Sequence, residues 1–276
     1  MIPHRNKRKR QIWSVENEQL RRKQDLLATE EPLELLLRAG AEQRTVAITM
    51  RTPGDDYELA AGFLYNEGII HTKSDMVQMT YCVDGAQQEY NALRVLLQSS
   101  TLPLLPQLER HFFTTSACGV CGATMLDDLT ARELPPIPAG PVLPLSFFAT
   151  LPDQLRRSQA VFESTGGLHA AALFNSQGQL LALREDVGRH NALDKVIGWG
   201  LLNDQLPFHN QVLMVSGRAS YELLQKCYVA GASIFCAVSA PSSLAVEVAE
   251  RFGITLIGFL RGDRFNIYTG IERIAQ

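Results

Sequence analysis

Two cysteines, Cys118 and Cys121, stand two residues apart in the stretch "TTSACGVCGATM", each followed by a glycine, and the chain has only three others. This spacing serves three chemistries. A zinc site needs four ligands, of which the pair supplies two, with His169 and His190 as the available completions. The zinc nucleobase deaminases, however, pair H-x-E with a later P-C-x-x-C. Here His169-Ala170-Ala171 lacks the glutamate and the cysteines precede the histidine. A redox dithiol would sit at a helix start directly after a strand, which "ERHFFTTSA" does not suggest. A thiolate on a glycine-flanked loop could instead attack the outer sulfur of a persulfide, carry that sulfur and pass it on, which needs exposure and partial ionisation rather than a metal. Cys82, Cys227 and Cys236 read as inert, the last two because they lie in strongly apolar segments.

A second set of groups gathers at four turns that read as strand-to-helix passages. "REDVGRHNALDK" packs Glu185, Asp186, Gly188, Arg189, His190 and Asn191 into one passage. "SGRAS" brings Ser216, Gly217 and Arg218 to the start of a helix, whose free N–H groups favour an anion. "SAPSS" sets Ser239 before Pro241, with Ser242 and Ser243 placed to cap a helix or to touch a phosphate. "FLRGDR" runs from Phe259 through Leu260, Arg261, Gly262 and Asp263 to Arg264, two guanidinium forks around a turn where glycine permits close approach. Four turns on one sheet edge, three with arginine, suggest a pocket for a ligand with several phosphates. Neither G-x-G-x-x-G after a strand nor G-x-x-x-x-G-K-[ST] is present, which disfavours the ordinary dinucleotide and P-loop sites. His169, in "LHAAAL", is a secondary candidate, a core histidine being as good a reading.

The elements that must hold these groups divide the chain. Residues 1–20 are polar with a clustered Lys/Arg run and read as a mobile basic tail. Residues 21–110 read as a small α+β domain: a hairpin, a helix "DYELAAGFLYNEG" with Asp55 available as its cap, then two strands around "VDGAQQ". Residues 111–150 hold the cysteine loop and "ARELPPIPAGPVLPL", whose five prolines make it a linker or strap. Residues 151–276 alternate strands and helices, beginning with a helix "PDQLRRSQAVFES", and read as an α/β cofactor-binding domain with a mostly parallel sheet and one antiparallel edge. With 46% apolar residues in 276 the chain can bury a sizeable core. A net charge of −3 argues against a surface built for nucleic acid. No apolar run reaches membrane-span length and no h-region follows the basic start, so a cytoplasmic protein without a membrane span is expected.

Over nearly all its length after the tail the chain resembles the FdhD/NarQ family, accessory sulfurtransferases of formate dehydrogenase. The resemblance rests on "AAGFLYNEGII", "SACGVCG", "GGLHAAAL", "EDVGRHNALDK", "SGRASYELLQK", "APSSLAVEVAE" and "GFLRGDRFNIYT". It implies a C-terminal cytidine deaminase-like three-layer α/β/α sandwich without the zinc site, and hence no permanent metal. It also implies a cytoplasmic sulfur carrier that accepts sulfur from a cysteine desulfurase as a persulfide on Cys118. The sulfur would then pass to the molybdenum cofactor, Mo-bis(molybdopterin guanine dinucleotide), before insertion into formate dehydrogenase, with Phe259 to Arg264 binding the guanine nucleotide part. Cys121 would be a helper or resolving thiol, and Asp263 an acceptor for guanine N–H groups. A homodimer is also implied. The alternative is a non-catalytic cofactor chaperone whose cysteine pair holds zinc or is redox-active.

Overall fold

The structure, a computed structural model, describes residues 6–82, 90–103, 126–127, 129–132 and 134–275. Cys118 and Cys121 lie outside the described residues. The expected mobile tail is corrected: β1 (Lys7–Glu16) and β2 (Gln19–Ala28) form an antiparallel ribbon, Lys7 opposite Ala28 and Glu16 opposite Gln19. Most side chains on both its faces are exposed, so nothing forced an apolar alternation that a sequence could display. The ribbon is fastened by Lys7 Nζ on the Ala160 carbonyl (3.2 Å), by an Arg8–Glu31 ion pair, and across its strands by the Arg22 guanidinium 4.8 Å over the Trp13 ring.

Strands β3 (Glu31–Ala39), β4 (Glu42–Arg51), β5 (Met76–Tyr81) and β6 (Ala92–Leu97) form a sheet in the order β4-β3-β6-β5. Alternate residues of β3 and β6, Leu33, Leu35 and Leu37 with Leu93, Val95 and Leu97, bury one face. Helix α1 (Asp56–Asn66) covers it with Leu59, Ala60, Ala61 and Leu64. Asp55 makes no side-chain cap; with φ 56° it turns the chain, and the Arg184 guanidinium lies 3.5 Å away. Asp56 is the anchored acid. Arg51 donates to both its oxygens (3.1 and 3.0 Å), and the Tyr81 hydroxyl donates at 2.9 Å.

From β7 (Leu143–Pro144) the chain enters α2 (Leu145–Ser158) and α3 (Ala160–Thr165). The helix expected from Pro152 starts seven residues earlier and breaks at Gln159, so Pro152 lies inside α2 rather than opening it. Next come β8 (His169–Asn175), β9 (Leu180–Asp186), α4 (Arg189–Leu202), β10 (Gln211–Val215), α5 (Tyr221–Val229), β11 (Ile234–Ala237), α6 (Ser243–Phe252), β12 (Thr255–Arg261), β13 (Arg264–Thr269) and β14 (Ile274–Ala275). Six strands, in the order β13-β12-β11-β10-β8-β9, make one sheet. Its central strands β8, β10 and β11 are apolar on both faces because both are covered. Ala170, Ala172, Phe174, Val212, Met214 and Ile257 meet Phe148, Leu151 and Leu155 of α2. Ala171, Leu173, Leu213, Val215 and Leu256 meet α4, α5 and α6. The three layers agree with expectation, but the sheet is not mostly parallel. Only β10–β11 and β11–β12 are parallel, each joined through a helix. β8–β9 and β12–β13 are tight hairpins, and β8 runs antiparallel to β10. Connections this short cannot make a parallel crossover.

The two sheets are joined at a crossing of α1 on α4. A methyl built on Gly62 would lie 1.9 Å from the Asp194 carbonyl oxygen, and one on Gly198 would lie 1.8 Å from that of Glu58. Only glycine permits this backbone contact. Beside it, Lys195, 1% exposed, places Nζ 2.7 Å from the Asp186 carboxylate and donates to the Thr52 carbonyl at 3.0 Å. Asp186 also accepts from Thr52 N (3.1 Å), Gly188 N (2.9 Å) and Asn191 Nδ2 (3.1 Å). The proline-rich segment straps the body. Leu134 and Ile137 pack on the core, Arg273 holds the Ala139 carbonyl, and β7 pairs with β14.

Candidate functional site

Strands β9, β10, β11 and β12 run in one direction, so the turns that follow them share one edge, together with the opening residue of antiparallel β8, His169. Main-chain bonds stitch three of the turns. Ser239 N donates to Gly217 O (3.3 Å), and Phe259 N donates to Ser239 O (3.1 Å). Against this edge α2 and α3 enclose a cavity of about 860 Å³. Its wall includes His169, Ser216, Leu260, Arg261 and Gly262 from the strand ends, and Arg156 and Gln159 from the helices.

Each strand end contributes in its own way. Ser216 Oγ accepts from Ala170 N (2.9 Å), which leaves its own proton free to donate. Gly217 lies against His169: a methyl there would meet Nδ1 at 3.5 Å. Arg261 and Arg264 face each other across the two-residue turn Gly262-Asp263, where Gly262 has φ 59°. Both guanidiniums are exposed, and among the described residues neither makes a hydrogen bond or ion pair. A bulge between Gly258 and Arg261 turns the backbone, and Phe259 takes φ 53°, a costly conformation for a large side chain. As a result its ring is 38% exposed between the fully buried Gly258 and Leu260. A methyl on Gly258 would meet Tyr268 at 2.9 Å and Pro241 at 3.0 Å, so the bulge is tightly seated.

Charge is distributed to receive an anion. Burial pushes the His169 imidazole below its usual range, and the nearby Arg189 and His190 add to this, so it stands neutral at pH 7. Arg189 opens α4, and its Nε is buried without a partner among the described residues. Arg156 lays its guanidinium 4.5 Å over the Phe162 ring. Arg156 and Arg261 therefore line the cavity with no carboxylate bonded to either among the described residues, and Asp153 is the one acid on the same wall.

The structure divides the residues singled out from the sequence. Ser216, Leu260, Arg261, Gly262 and His169 share the cavity, and Phe259, Asp263 and Arg264 belong to its hairpin rim, while Arg218 is exposed at the adjoining turn. His190 lines a different cavity of about 480 Å³, between β4, α1, α4 and α5. There its Nε2 stands 2.7 Å from the Glu222 carboxylate and holds that carboxyl below its usual range. Glu185, Asp186 and Asn191 are structural: Glu185 accepts from Val161 N and Phe162 N, and the other two join the sheets. Ser242 caps α6 through Ala245 N (3.2 Å). Burial pushes the Cys227 and Cys236 thiols far up, in keeping with inert core residues. Arg156 and Gln159 were missed. Both fell inside the predicted helix "PDQLRRSQAVFES", and nothing in their local pattern set them apart.

A family model described as FdhD/NarQ matches residues 28–275. The chain belongs to the FdhD/NarQ family. Among curated members, the "Sulfur carrier protein FdhD" of Nocardia farcinica is 52% identical over 254 residues, 92% of this chain and 89% of that protein. The protein of the same name from Streptomyces coelicolor is 47% identical over 277 residues, 97% and 95%. That of Saccharolobus solfataricus is 46% identical over 91% of each chain. A solved structure described as a putative formate dehydrogenase accessory protein from Desulfotalea psychrophila superposes with a TM-score of 0.76 over 98% of this chain and 99% of that one. At 24% identity it supports the fold alone. The FdhD/NarQ match begins at Ala28, the last residue of β2, so the basic ribbon precedes the matched region. No helix among the described residues is long and apolar enough to cross a membrane.

Proposed function

We propose that this FdhD/NarQ protein is a sulfur carrier serving formate dehydrogenase. It takes sulfur from a cysteine desulfurase onto Cys118 and delivers it to the molybdenum cofactor, whose guanine nucleotide end lies in the cavity at the sheet edge. The observation that carries the reading is the convergence of unpaired Arg261 and the hydroxyl of Ser216 on one large cavity beside a neutral, half-buried His169. Relatives named as sulfur carriers across almost the whole chain give the class of chemistry.

Loading is a thiol exchange. The Cys118 thiolate attacks the terminal sulfur of the desulfurase persulfide, an S–S bond breaks, and the donor leaves as a thiolate. Delivery of that sulfur as sulfide requires two electrons. Cys121 supplies them by attacking the inner sulfur of Cys118, which releases sulfide to the acceptor and leaves a Cys118–Cys121 disulfide for reduction. Arg261 and Arg264 clamp phosphate oxygens, Gly262 lets the backbone approach them, and Asp263 is an acceptor at the rim. The molybdenum cofactor here is a substrate, brought and released.

The test is peptide mass spectrometry after incubation with a cysteine desulfurase and cysteine. One reductant-sensitive sulfur atom should map to Cys118 and be absent from Cys118→Ala, while Cys121→Ala should load but deliver poorly. No added sulfur, together with stoichiometric zinc and blocked thiols, would overturn the carrier reading in favour of a cofactor chaperone.

A further inference from the structure

The register of the β1–β2 ribbon sets Val15 opposite Leu20 and Trp13 opposite Arg22, so these four side chains share one face, with Lys9 and Lys7 following toward its base. Trp13, Val15 and Leu20 are 60%, 67% and 67% exposed. No carboxylate joins them, because Glu16 and Asp25 stand on the opposite face and Glu18 lies in the turn. A two-stranded ribbon with such a face bare is marginally stable in water, and exposed apolar side chains gathered in one patch mark a contact surface. Trp and Arg are the side chains that carry most of the energy in protein interfaces, and here the Arg22 guanidinium lies 4.8 Å over the Trp13 ring.

The base of the same face borders the sheet-edge cavity. Lys7 Nζ donates to the carbonyl of Ala160, the residue that opens α3 (3.2 Å), and Ala28 abuts Gly167, where a methyl would lie 3.5 Å from its Cβ. Phe162 and Gly167 belong to the cavity wall, so the ribbon face continues outward from that wall. Leu126 and Leu129, which follow the cysteine pair in the chain, pack in the other layer with α4, α5 and α6. Strands of 10 residues at about 3.4 Å each, with a paired width of about 10 Å, give the face an area on the order of 340 Å². A stable protein interface needs about 800 Å² per partner, so what covers the ribbon must reach onto neighbouring surface, and at the base that surface is the cavity mouth.

Charge selects the occupant. Residues 1–28 hold eight of the 26 Lys and Arg and three of the 29 Asp and Glu, a net +5, which leaves −8 on the rest of the chain. An acidic protein surface is therefore drawn to the ribbon and repelled by the body, which fixes its orientation as well as its place. We infer that the ribbon is a docking arm for the protein that receives the cofactor, a partner with an acidic contact surface and an apolar recess for Trp13, held at the mouth of the cavity from which the cofactor leaves. This rests on the carrier reading above, in which that receiver is formate dehydrogenase.

The experiment is biosensor binding of the full-length protein to cofactor-free formate dehydrogenase and, separately, to a cysteine desulfurase, with wild type, Trp13→Thr, Arg22→Glu and Arg21→Glu. Threonine keeps the strand propensity, and Arg21→Glu makes the same charge change on the opposite face. Trp13→Thr and Arg22→Glu should weaken dehydrogenase binding about tenfold or more, Arg21→Glu by about threefold at most, and wild-type affinity should fall with added salt. Desulfurase binding and sulfur loading of Cys118 should be unchanged in all three. Should Trp13→Thr loosen the ribbon, Leu20→Thr removes an apolar contact beside the turn and should weaken the dehydrogenase alone. Unchanged dehydrogenase binding overturns the inference, and so does equal loss in Arg21→Glu and Arg22→Glu, which would reduce the effect to net charge. If the variants instead lose desulfurase binding, self-association or attraction to phosphatidylglycerol vesicles, the arm belongs to another occupant and the inference falls. Failure of the wild type to bind the dehydrogenase at all overturns the reading of that enzyme as the receiver, and this inference with it.

Discussion

The crossing of α1 on α4 can be tested by adding a single methyl group. In Gly198→Ala that methyl would lie 1.8 Å from the Glu58 carbonyl oxygen, 2.7 Å from its carbon and 2.7 Å from Gly62 N. Favourable contacts between carbon atoms begin at about 3.5 Å, so the helices must separate by roughly 1.5 Å or more. None of the opposing atoms is a side chain that can swing away, and Asp194, Lys195, Val196 and Ile197 around the site are fully packed. Overpacking of this kind costs about 1–3 kcal/mol and sometimes more, and the intrinsic helical advantage of alanine returns at most ~1 kcal/mol. A net loss of about 2 kcal/mol is expected, which in a chain this size lowers Tm by roughly 4–8 °C. Circular dichroism melts should be compared with Gly253→Ala, where nothing lies within 4 Å and the only penalty is the left-handed backbone, φ 70°. That control should lose only about 1–2 kcal/mol. The double variant Gly62→Ala/Gly198→Ala should lose less than the sum, because a gap opened for one methyl partly admits the other. If Gly198→Ala melts within a degree of wild type, the close crossing is wrong.

Other perturbations address the site and the joint. Arg261→Ala should weaken GDP binding about 10- to 100-fold, as loss of a charge-assisted pair costs roughly 1.5–3 kcal/mol, and the more peripheral Arg264→Ala should weaken it less; equal, negligible effects by calorimetry would move the phosphates elsewhere. His169 is neutral in the free protein because its folded pKa lies below 6.5, so an anion bound beside it should draw in a proton. GDP affinity should therefore rise as the pH falls from 8 to 6 in wild type and rise less in His169→Phe, with proton uptake read from titrations in buffers of different ionisation enthalpy. The same depressed pKa contributes stability that is intact above pH 6.5 and lost as the pH falls through the folded value, since the unfolded chain takes the proton first. Lys195→Met should cost about 3–5 kcal/mol by stranding the Asp186 carboxylate at the joint, visible as a lower urea midpoint; a variant as stable as wild type would show that the pair contributes nothing.

What could be read in the sequence was what local rules determine. The rhythm from His169 to Thr269 gave the strands and helices because the central strands β8, β10 and β11 are buried on both faces and α6 on one. Turns after strands located Ser216 and the Arg261 hairpin because ligand sites in such sheets lie at strand ends. What could not be read depended on partners distant along the chain. Asp186 and Asn191 look like pocket residues in "REDVGRHNALDK" and become structural only because Thr52 and Met50 arrive from the other sheet. The ribbon at Lys7–Ala28 was hidden for the opposite reason, since strands covered on neither face need no apolar pattern. Gln159 shows the limit most sharply. Glutamine is unremarkable at such a position, and only the packed molecule shows it 4% exposed with an Nε2 that has no partner among the described residues. An orphaned amide is thus a property of the packed molecule: burial and the loss of a partner are decided by residues distant along the chain, and no local pattern can display them.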